Sequence, residues 1–115
     1  ILDFTKEEID SLNYEFPLWE SYELSPGTYP TQKETINTVA SPNILIVRED
    51  VPETIVYEMT KMLWDNLATL QEIHSATNSM SVESALSGVS VPLHLGALRY
   101  YEEQGITIPA HLRAE

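Results

Sequence analysis

Apolar and polar positions follow a helical period over one long stretch of the chain. Between Val51 and about Ser75, apolar residues recur every three or four positions and polar residues fill the opposite face. This period predicts one amphipathic helix that packs one face on a core. Asp50, Pro52 and Glu53 are typical of a helix start, with Asp50 as the N-cap. The predicted core stripe is Ile55, Met59, Met62, Leu63, Leu70 and Ile73.

Shorter patterns flank this helix on both sides. Thr5 and Glu8 have the spacing of a capping box, which predicts a helix of about two turns with Ile9 and Leu12 facing inward. Ser81 and Gly88 bound a second short helix. A third is predicted within "VPLHLGALRYYEEQG", which starts after Pro92 and ends at Gly105.

The remaining segments are predicted to be extended. Residues 1–4 have the pattern of a strand end, and three prolines forbid a helix between Tyr14 and Gln32. A short strand is predicted over Trp19–Leu24, followed by a turn at Pro26-Gly27. Ile36 and Val39 indicate a further strand, and the apolar run Ile44–Val47 is typical of a strand covered on both faces.

Composition narrows the classes of function. The chain has 115 residues, 43% of them hydrophobic, which suits one small domain. Its formal net charge of -12 argues against nucleic acid or an anionic membrane as a partner. With no cysteine, disulfides, thiolate nucleophiles and cysteine zinc sites are excluded. The apolar start "ILDF", without an initiator methionine or signal peptide, leads us to expect a fragment of a longer protein.

Few residues suggest catalysis or metal binding. His74, His94 and His111 are too far apart in sequence to form a helical metal pair, so we expect capping or surface roles for them. The acidic pairs at residues 7–8, 49–50 and 102–103 are expected on the surface. G-x-S-x-G, G-x-G-x-x-G and P-loop motifs are absent, so we expect no enzyme activity, no cofactor and no metal.

The stretch "SPGTYPTQ", residues 25–32, is the best candidate for ligand binding. It offers the hydroxyls of Thr28 and Tyr29, the amide of Gln32 and exposed backbone, which suit hydrogen bonds to a small polar ligand. A plain connecting turn is the competing interpretation of the same residues.

Three motifs together resemble a known family. "SPGTYPTQ", "TVASPNILIVREDVPETIVYEMTKMLWDNL" and "VPLHLGALRYYEEQG" occur in this order in TAXI-type solute receptors of TRAP transporters. The resemblance runs from about Ile1 to Ile108 and corresponds to the last third of such receptors. Two positions depart from the family pattern: Thr31 stands where a glycine is usual, and Leu95 stands where a proline is usual.

The resemblance implies an α/β fold, the C-terminal part of a two-lobed periplasmic-binding-protein-like fold of type II. Residues 1–32 would belong to the second lobe, residues 33–50 would cross the hinge, and residues 51–115 would pack on the first lobe. It further implies an extracytoplasmic receptor that closes on glutamate-like amino acids or small carboxylates and delivers them to TRAP membrane permease subunits. Thr28, Tyr29 and Gln32 are the candidate ligand contacts.

Two other functions stay open at this point. The chain could be a non-catalytic α/β interaction module that uses its aromatic N-terminal segment as a partner surface, or the terminal piece of an enzyme. Residues 1–115 alone are expected to bind no such solute tightly, and their uncovered strand and core face are expected to favour self-association.

Overall fold

The computed structural model describes residues 2–16 and 18–113. This part of the chain forms four α-helices, two short 3-10 helices and a two-stranded sheet, which is the predicted α/β content. The chain separates into two compact units. Unit 1 contains residues 1–44 and 87–90, and unit 2 contains residues 45–86 and 91–115. How these units correspond to the lobes and hinge of a larger receptor stays a prediction.

Helix α1, Lys6–Glu15, begins at the predicted capping box. The Thr5 hydroxyl accepts from the Glu8 amide at 3.3 Å, and the Glu8 carboxylate accepts from the Thr5 amide at 2.8 Å. Both bonds satisfy amide groups that have no partner inside the helix. Ile9 is buried and Leu12 is half-buried, as the pattern predicted.

Strands β1, Glu20–Leu24, and β2, Ile36–Ala40, form an antiparallel hairpin in unit 1. The register pairs the first residue of β1 with Ala40 and its last residue with Ile36. The N-terminal segment runs beside β2 without being a strand. There the Phe4 amide donates to the Asn37 carbonyl at 2.9 Å, and the Asp3 carboxylate accepts from the Asn37 amide at 2.7 Å. Ile1, which belonged to the predicted strand end, lies outside the described residues.

Unit 2 is built on helix α2, Glu53–Asp65, and helix α4, Leu95–Glu103. Val56 of α2 and Tyr100 of α4 are 4% and 5% exposed, and the rings of Tyr57 and Tyr100 meet edge-on at 6.0 Å. Gly96 is buried where α4 meets the first turn of α2. Ile108 and Leu112, after α4, complete the buried residues of this unit.

Helix α4 ends as predicted, at a glycine in the left-handed conformation. Gly105 has φ +78°, its amide donates to the Glu102 carbonyl at 2.9 Å, and the Ile106 amide donates to the Tyr101 carbonyl at 3.0 Å. This pair of bonds is the Schellman motif, which satisfies carbonyls that the helix leaves without partners.

His94 caps the start of α4. Its Nδ1 accepts from the Gly96 amide at 3.1 Å, while its Nε2 lies 2.9 Å from the Val51 carbonyl oxygen. A carbonyl can only accept, so Nε2 carries the proton and the ring is the neutral Nε2–H tautomer. The predicted helix-start role of His94 is confirmed, and the ring also ties α4 to the segment before α2.

Replacing His94 therefore separates two contributions to stability. We expect His94→Ala to lower the free energy of unfolding by about 2 kcal/mol, since a cap and a part-buried hydrogen bond are both lost. We expect His94→Asn to recover about half of that loss, because its shorter side chain can cap Gly96 but cannot reach Val51. Urea unfolding measures both. Equal losses in the two variants would contradict the capping role.

Glu102 and Glu103, the acidic pair at the end of α4, are bound by arginine side chains and by a tyrosine hydroxyl. Glu102 pairs with Arg113 at 2.9 Å. The Glu103 carboxylate accepts from the Tyr57 hydroxyl at 2.5 Å and from Arg99 Nε at 3.1 Å. The Tyr57 hydrogen bond, helped by Arg99, holds the pKa of Glu103 below its ordinary value. These partners offset the unfavourable placement of carboxylates near a helix C-terminus.

The hydrogen bond between the Tyr57 hydroxyl and the Glu103 carboxylate predicts how the stability of the fold changes with pH. Because the folded pKa of Glu103 is depressed, the contact contributes stability above the ordinary carboxyl range and loses it as pH falls through the folded pKa. Tyr57→Phe should therefore be less stable than the wild type at pH 7, and the gap should narrow at about pH 3. Urea midpoints at the two pH values measure the gap. A constant gap would mean that Glu103 does not use this hydroxyl when folded.

The single long helix predicted from the pattern is wrong in one place. The chain forms α2 and then a separate helix α3, Leu67–Ile73, with Asn66 between them at φ −108°. The Asn66 side-chain amide donates to the Met62 carbonyl at 2.8 Å. Asparagine side chains compete with the helical backbone in this way, which accounts for the break. A 3-10 helix, Ser75–Ser79, follows after His74, whose ring accepts from the Ala76 amide.

The predicted N-cap of the long helix is also wrong. Helix α2 starts at Glu53 behind Pro52, with no side-chain cap. Asp50 is instead held by Arg48 in a two-pronged contact of 2.9 and 2.7 Å. This paired geometry directs the Asp50 carboxylate at the Arg48 guanidinium instead of at an amide of the helix.

Two predictions of burial fail within this chain. Most of the predicted apolar stripe is exposed: Ile55, Met59, Met62 and Ile73 are 50%, 46%, 65% and 73% exposed, while Leu63 and Leu70 are half-buried. On α2, Val56 and its neighbours face α4 instead. Residues 44–47 form no strand, and Leu45 and Ile46 are 72% and 76% exposed. An apolar run becomes a buried strand only where another strand and a packed layer meet it, and the described residues supply neither.

The predicted helix between Ser81 and Gly88 is replaced by consecutive turns. Ser81 still acts as a cap, since its hydroxyl accepts from the Ser84 amide at 3.2 Å, and Gly88 has φ +68°. The start and stop signals are thus used, but fewer than two helical turns separate them, too short a span to propagate a helix.

Candidate functional site

The hairpin of unit 1 presents one loop, residues 25–35, whose first part is a tight turn. The Ser25 carbonyl accepts from the Thr28 amide at 3.2 Å and from the Thr28 hydroxyl at 2.6 Å. Pro26 and Gly27 occupy the central positions, and Gly27 has φ +82°. A left-handed glycine after proline is the type II turn that the sequence predicted.

A second turn follows immediately and folds the loop onto itself. The Gln32 amide donates to the Tyr29 carbonyl at 3.1 Å, and the Gly27 amide donates to the Gln32 carbonyl at 3.0 Å. Thr31 has φ +74°, the only positive φ of a non-glycine residue in the described part of the chain. A β-branched residue in this conformation is strained. Thr31 stands at the position where the TAXI-type receptors that the sequence resembles usually have glycine.

Thr31→Gly is therefore expected to raise the free energy of unfolding by roughly 0.5–1 kcal/mol. The relief of backbone strain exceeds the extra entropy that glycine gives the unfolded chain. Thr35→Gly is the matched control: Thr35 lies in the same loop without a positive φ, so glycine there should only destabilise. Thermal or urea unfolding measures both. Destabilisation by Thr31→Gly would mean that the turn differs from the one described.

The Gln32 side chain lies inside this loop. Its Nε2 donates to the Leu24 carbonyl at 3.2 Å and to the Glu34 carbonyl at 2.8 Å, and its Oε1 accepts from the Tyr29 amide at 3.2 Å. One amide group thus joins the end of β1, the middle of the loop and the approach to β2.

The three predicted ligand residues occupy different positions on this loop. Tyr29 carries its ring outward and is 51% exposed, and Thr28 is exposed with its hydroxyl proton given to Ser25. Gln32 is half-buried. The structure therefore brings all three onto one folded loop, with Tyr29 as its most accessible aromatic group.

An open depression adjoins the loop and contains charges of both signs. Lys33 provides the positive charge, while Asp3 and Glu34 provide negative charge. Thr31, Gln32, Thr35 and Ile36 complete its lining. Within residues 2–16 and 18–113, the other five cations all form ion pairs and Lys33 forms none. Lys33 is thus available to pair with an external anion.

Comparison with known proteins agrees with a binding role. The NMT1-like family matches residues 1–105 of the chain. The chain belongs to the NMT1-like family. This family is periplasmic binding-protein-like, and it indicates an extracytoplasmic protein that binds a small-molecule solute. The α/β content of this NMT1-like chain is consistent with a fragment of a binding-protein-like domain.

Three other features of the NMT1-like chain concern metal binding, His111 and membrane spans. Among the described residues, no group of three or more His, Asp or Glu side chains is arranged to hold a metal. His111 is exposed in a 3-10 helix, Ala110–Leu112. No helix in the described ranges has both the length and the apolar character needed to cross a membrane.

The contributions of Asp3 and Lys33 to this depression could not be predicted from the sequence. Asp3 comes to the loop only because the N-terminal segment runs beside β2, which no local pattern signals. Lys33 follows directly after the quoted motif, and its availability becomes visible only when the other cations are seen to be paired.

Proposed function

We propose that this NMT1-like chain forms the C-terminal part of a TAXI-type solute receptor that serves a TRAP transporter. The order of the three motifs supports this subclass, and membership of a binding-protein-like family supports solute binding in general. The partner would be the membrane permease subunits of that transporter. The mechanism is capture and release by lobe closure, with no bond made or broken, and so without enzyme activity.

The observation that carries this proposal is the loop of residues 25–35. Two successive turns and the Gln32 amide hold it in one conformation, and Tyr29 projects from it half-exposed. A loop fixed in advance loses little conformational entropy when a solute binds, so more of its contact energy contributes to affinity. A tyrosine there offers a flat apolar ring and one hydroxyl for orientation.

An amino acid is the solute class that the charges favour. A free amino acid carries a carboxylate and an ammonium group together. In the depression beside the loop, Lys33 suits the carboxylate, and Asp3 and Glu34 suit the ammonium. Glutamate-like amino acids are therefore the first proposed ligands, and small carboxylates, which would pair with Lys33 alone, are the second.

The exposed apolar surfaces support a larger receptor. The stripe of Ile55, Met59 and Met62 on α2 and the run of residues 44–47 would both be covered if the rest of a two-lobed protein packed on them. In this arrangement residues 51–115 pack on the first lobe and residues 33–50 cross the hinge.

Calorimetric titration of the full receptor with L-glutamate, L-glutamine and succinate tests the proposal. We expect micromolar binding of at least one of them, and much weaker binding by residues 1–115 alone, because half of the cleft would be absent. No heat with any of the three would remove the support for this ligand class. Equally tight binding by residues 1–115 would contradict the proposed division of the cleft.

A second function is favoured by one observation. Tyr14, Phe16 and Tyr22 in the N-terminal third are 91%, 54% and 48% exposed, as a protein-binding surface would be. If the chain is an interaction module, Tyr14→Ala and Phe16→Ala should abolish capture of a specific partner while leaving solute titrations unchanged. If it is a receptor, these two substitutions should leave transport unaffected.

A further inference from the structure

We infer that Gln32 is a positioning residue: it acts on solute affinity through the orientation of Tyr29 and does not itself touch the solute. This inference rests on the proposed function, in which the loop of residues 25–35 meets the solute. Of the three candidate contacts, Gln32 then holds Tyr29 in position instead of touching the solute. The contact that Tyr29 makes with the solute depends on Gln32.

The hydrogen-bond capacity of Gln32 is nearly exhausted inside the protein. A primary amide has two N–H donors and one carbonyl acceptor. Both donors of Gln32 are directed at backbone carbonyls, those of Leu24 and Glu34, and its oxygen accepts from the Tyr29 amide. No donor is left for a solute. A solute acceptor that recruited the Gln32 amide nitrogen would have to break a bond that holds the loop.

The three bonded backbone groups explain why an amide is needed at this position. Two are carbonyls and one is an N–H group, so the side chain must donate twice and accept once from a single planar group. A glutamate of the same length could accept from Tyr29 but would direct a negative oxygen at two carbonyl oxygens. A methionine would match the length and satisfy none of the three groups.

The hydrogen bond from the Tyr29 amide to the Gln32 side chain links Gln32 to Tyr29 in particular. Tyr29 occupies the first position of the second turn, whose strained third residue, Thr31, holds φ +74°. Gln32 closes this turn twice, with its backbone amide on the Tyr29 carbonyl and its side-chain oxygen on the Tyr29 amide. Without the side chain, strain at Thr31 favours opening of the turn, and the backbone from which the Tyr29 ring projects is no longer held in place.

A double-mutant cycle on the full receptor tests the inference, with L-glutamate as the probe. We expect Gln32→Met to weaken glutamate binding roughly tenfold and Tyr29→Ala to weaken it roughly 30-fold. If Gln32 acts through Tyr29, the double variant should bind no worse than Tyr29→Ala, roughly 30-fold down instead of 300-fold. Gln32→Glu, which keeps an acceptor but no donors, should also weaken binding.

Hydrogen exchange without solute gives the second measurement. In Gln32→Met, the Tyr29 amide should exchange at least tenfold faster, while amides of α4 keep their wild-type rates. Additive losses of affinity in the cycle would overturn the inference and make Gln32 a direct contact. An unchanged Tyr29 exchange rate would overturn it too. If the wild type binds no glutamate, the proposed ligand fails, and the exchange rate alone decides whether Gln32 positions Tyr29.

Discussion

Gly96→Ala is expected to lower the free energy of unfolding by about 3 kcal/mol. A Cβ at this position would overlap the Glu53 carbonyl oxygen and would lie 2.5 Å from the Tyr57 amide nitrogen and 2.9 Å from Val56 Cβ. Two of these neighbours are backbone atoms of α2, so they cannot move aside by a side-chain rotation. The helices must separate, and the buried contact between Val56 and Tyr100 loosens with them.

Helix propensity alone predicts the opposite sign for this substitution, because alanine is about 1 kcal/mol better than glycine inside a helix. Gly105→Ala is the matched control. A Cβ there meets nothing within 4 Å, and only the left-handed φ of +78° opposes it, so a loss of about 1 kcal/mol is expected. Urea midpoints with unchanged slopes measure both variants. A Gly96→Ala variant as stable as the wild type would contradict the close approach of α2 and α4.

Tyr29→Ala is expected to weaken solute binding by the full receptor roughly 30-fold. The ring is half-exposed in the free loop, so covering it with solute removes apolar surface from water, and its hydroxyl adds one hydrogen bond. Tyr29→Phe, which keeps the ring, should lose only about fivefold. Calorimetric titration with L-glutamate measures both.

Tyr14→Ala is the control for the loss of an exposed aromatic ring. Tyr14 lies on α1 and is 91% exposed, so its removal should leave the solute affinity unchanged if the loop is the site. Equal losses from Tyr14→Ala and Tyr29→Ala would show that exposed rings in general, and not this loop, control the measured binding.

The features that could be predicted from the sequence are those set by a few neighbouring residues. The capping box of Thr5 and Glu8, the turn at Pro26-Gly27 and the left-handed Gly105 were all confirmed. In each case the partners lie within five residues, so the chemistry of the side chain and the local backbone conformation are sufficient.

The features that failed depend on distant partners or on competing local bonds. The run at residues 44–47 has strand composition, but a strand needs neighbours that hydrogen-bond to it, and none meets it in the described residues. The period of α2 was recognised correctly, yet the face that packs on α4 contains Val56 instead of Met59. The side-chain bond of Asn66 broke the predicted long helix, and Asp50 bonded to Arg48 instead of capping that helix.

The sequence named the residues of the candidate site but not how they are bonded to one another. The motif located the loop and named Thr28, Tyr29 and Gln32, because turn residues next to hydroxyls and an amide are recognisable in sequence. The internal bonding of Gln32 and the approach of Asp3 could not be predicted, since they depend on how the loop closes and on the N-terminal segment beside β2.

The most direct test of the central claim is an amide chemical-shift map of the full receptor during titration with L-glutamate. Our account predicts that, among residues 1–115, the largest shift changes fall on residues 27–34 and on the segment around Asp3, and that they saturate with the calorimetric affinity. Saturable binding that shifts other residues of this chain and leaves residues 27–34 unchanged would contradict the assignment of this loop as the solute site.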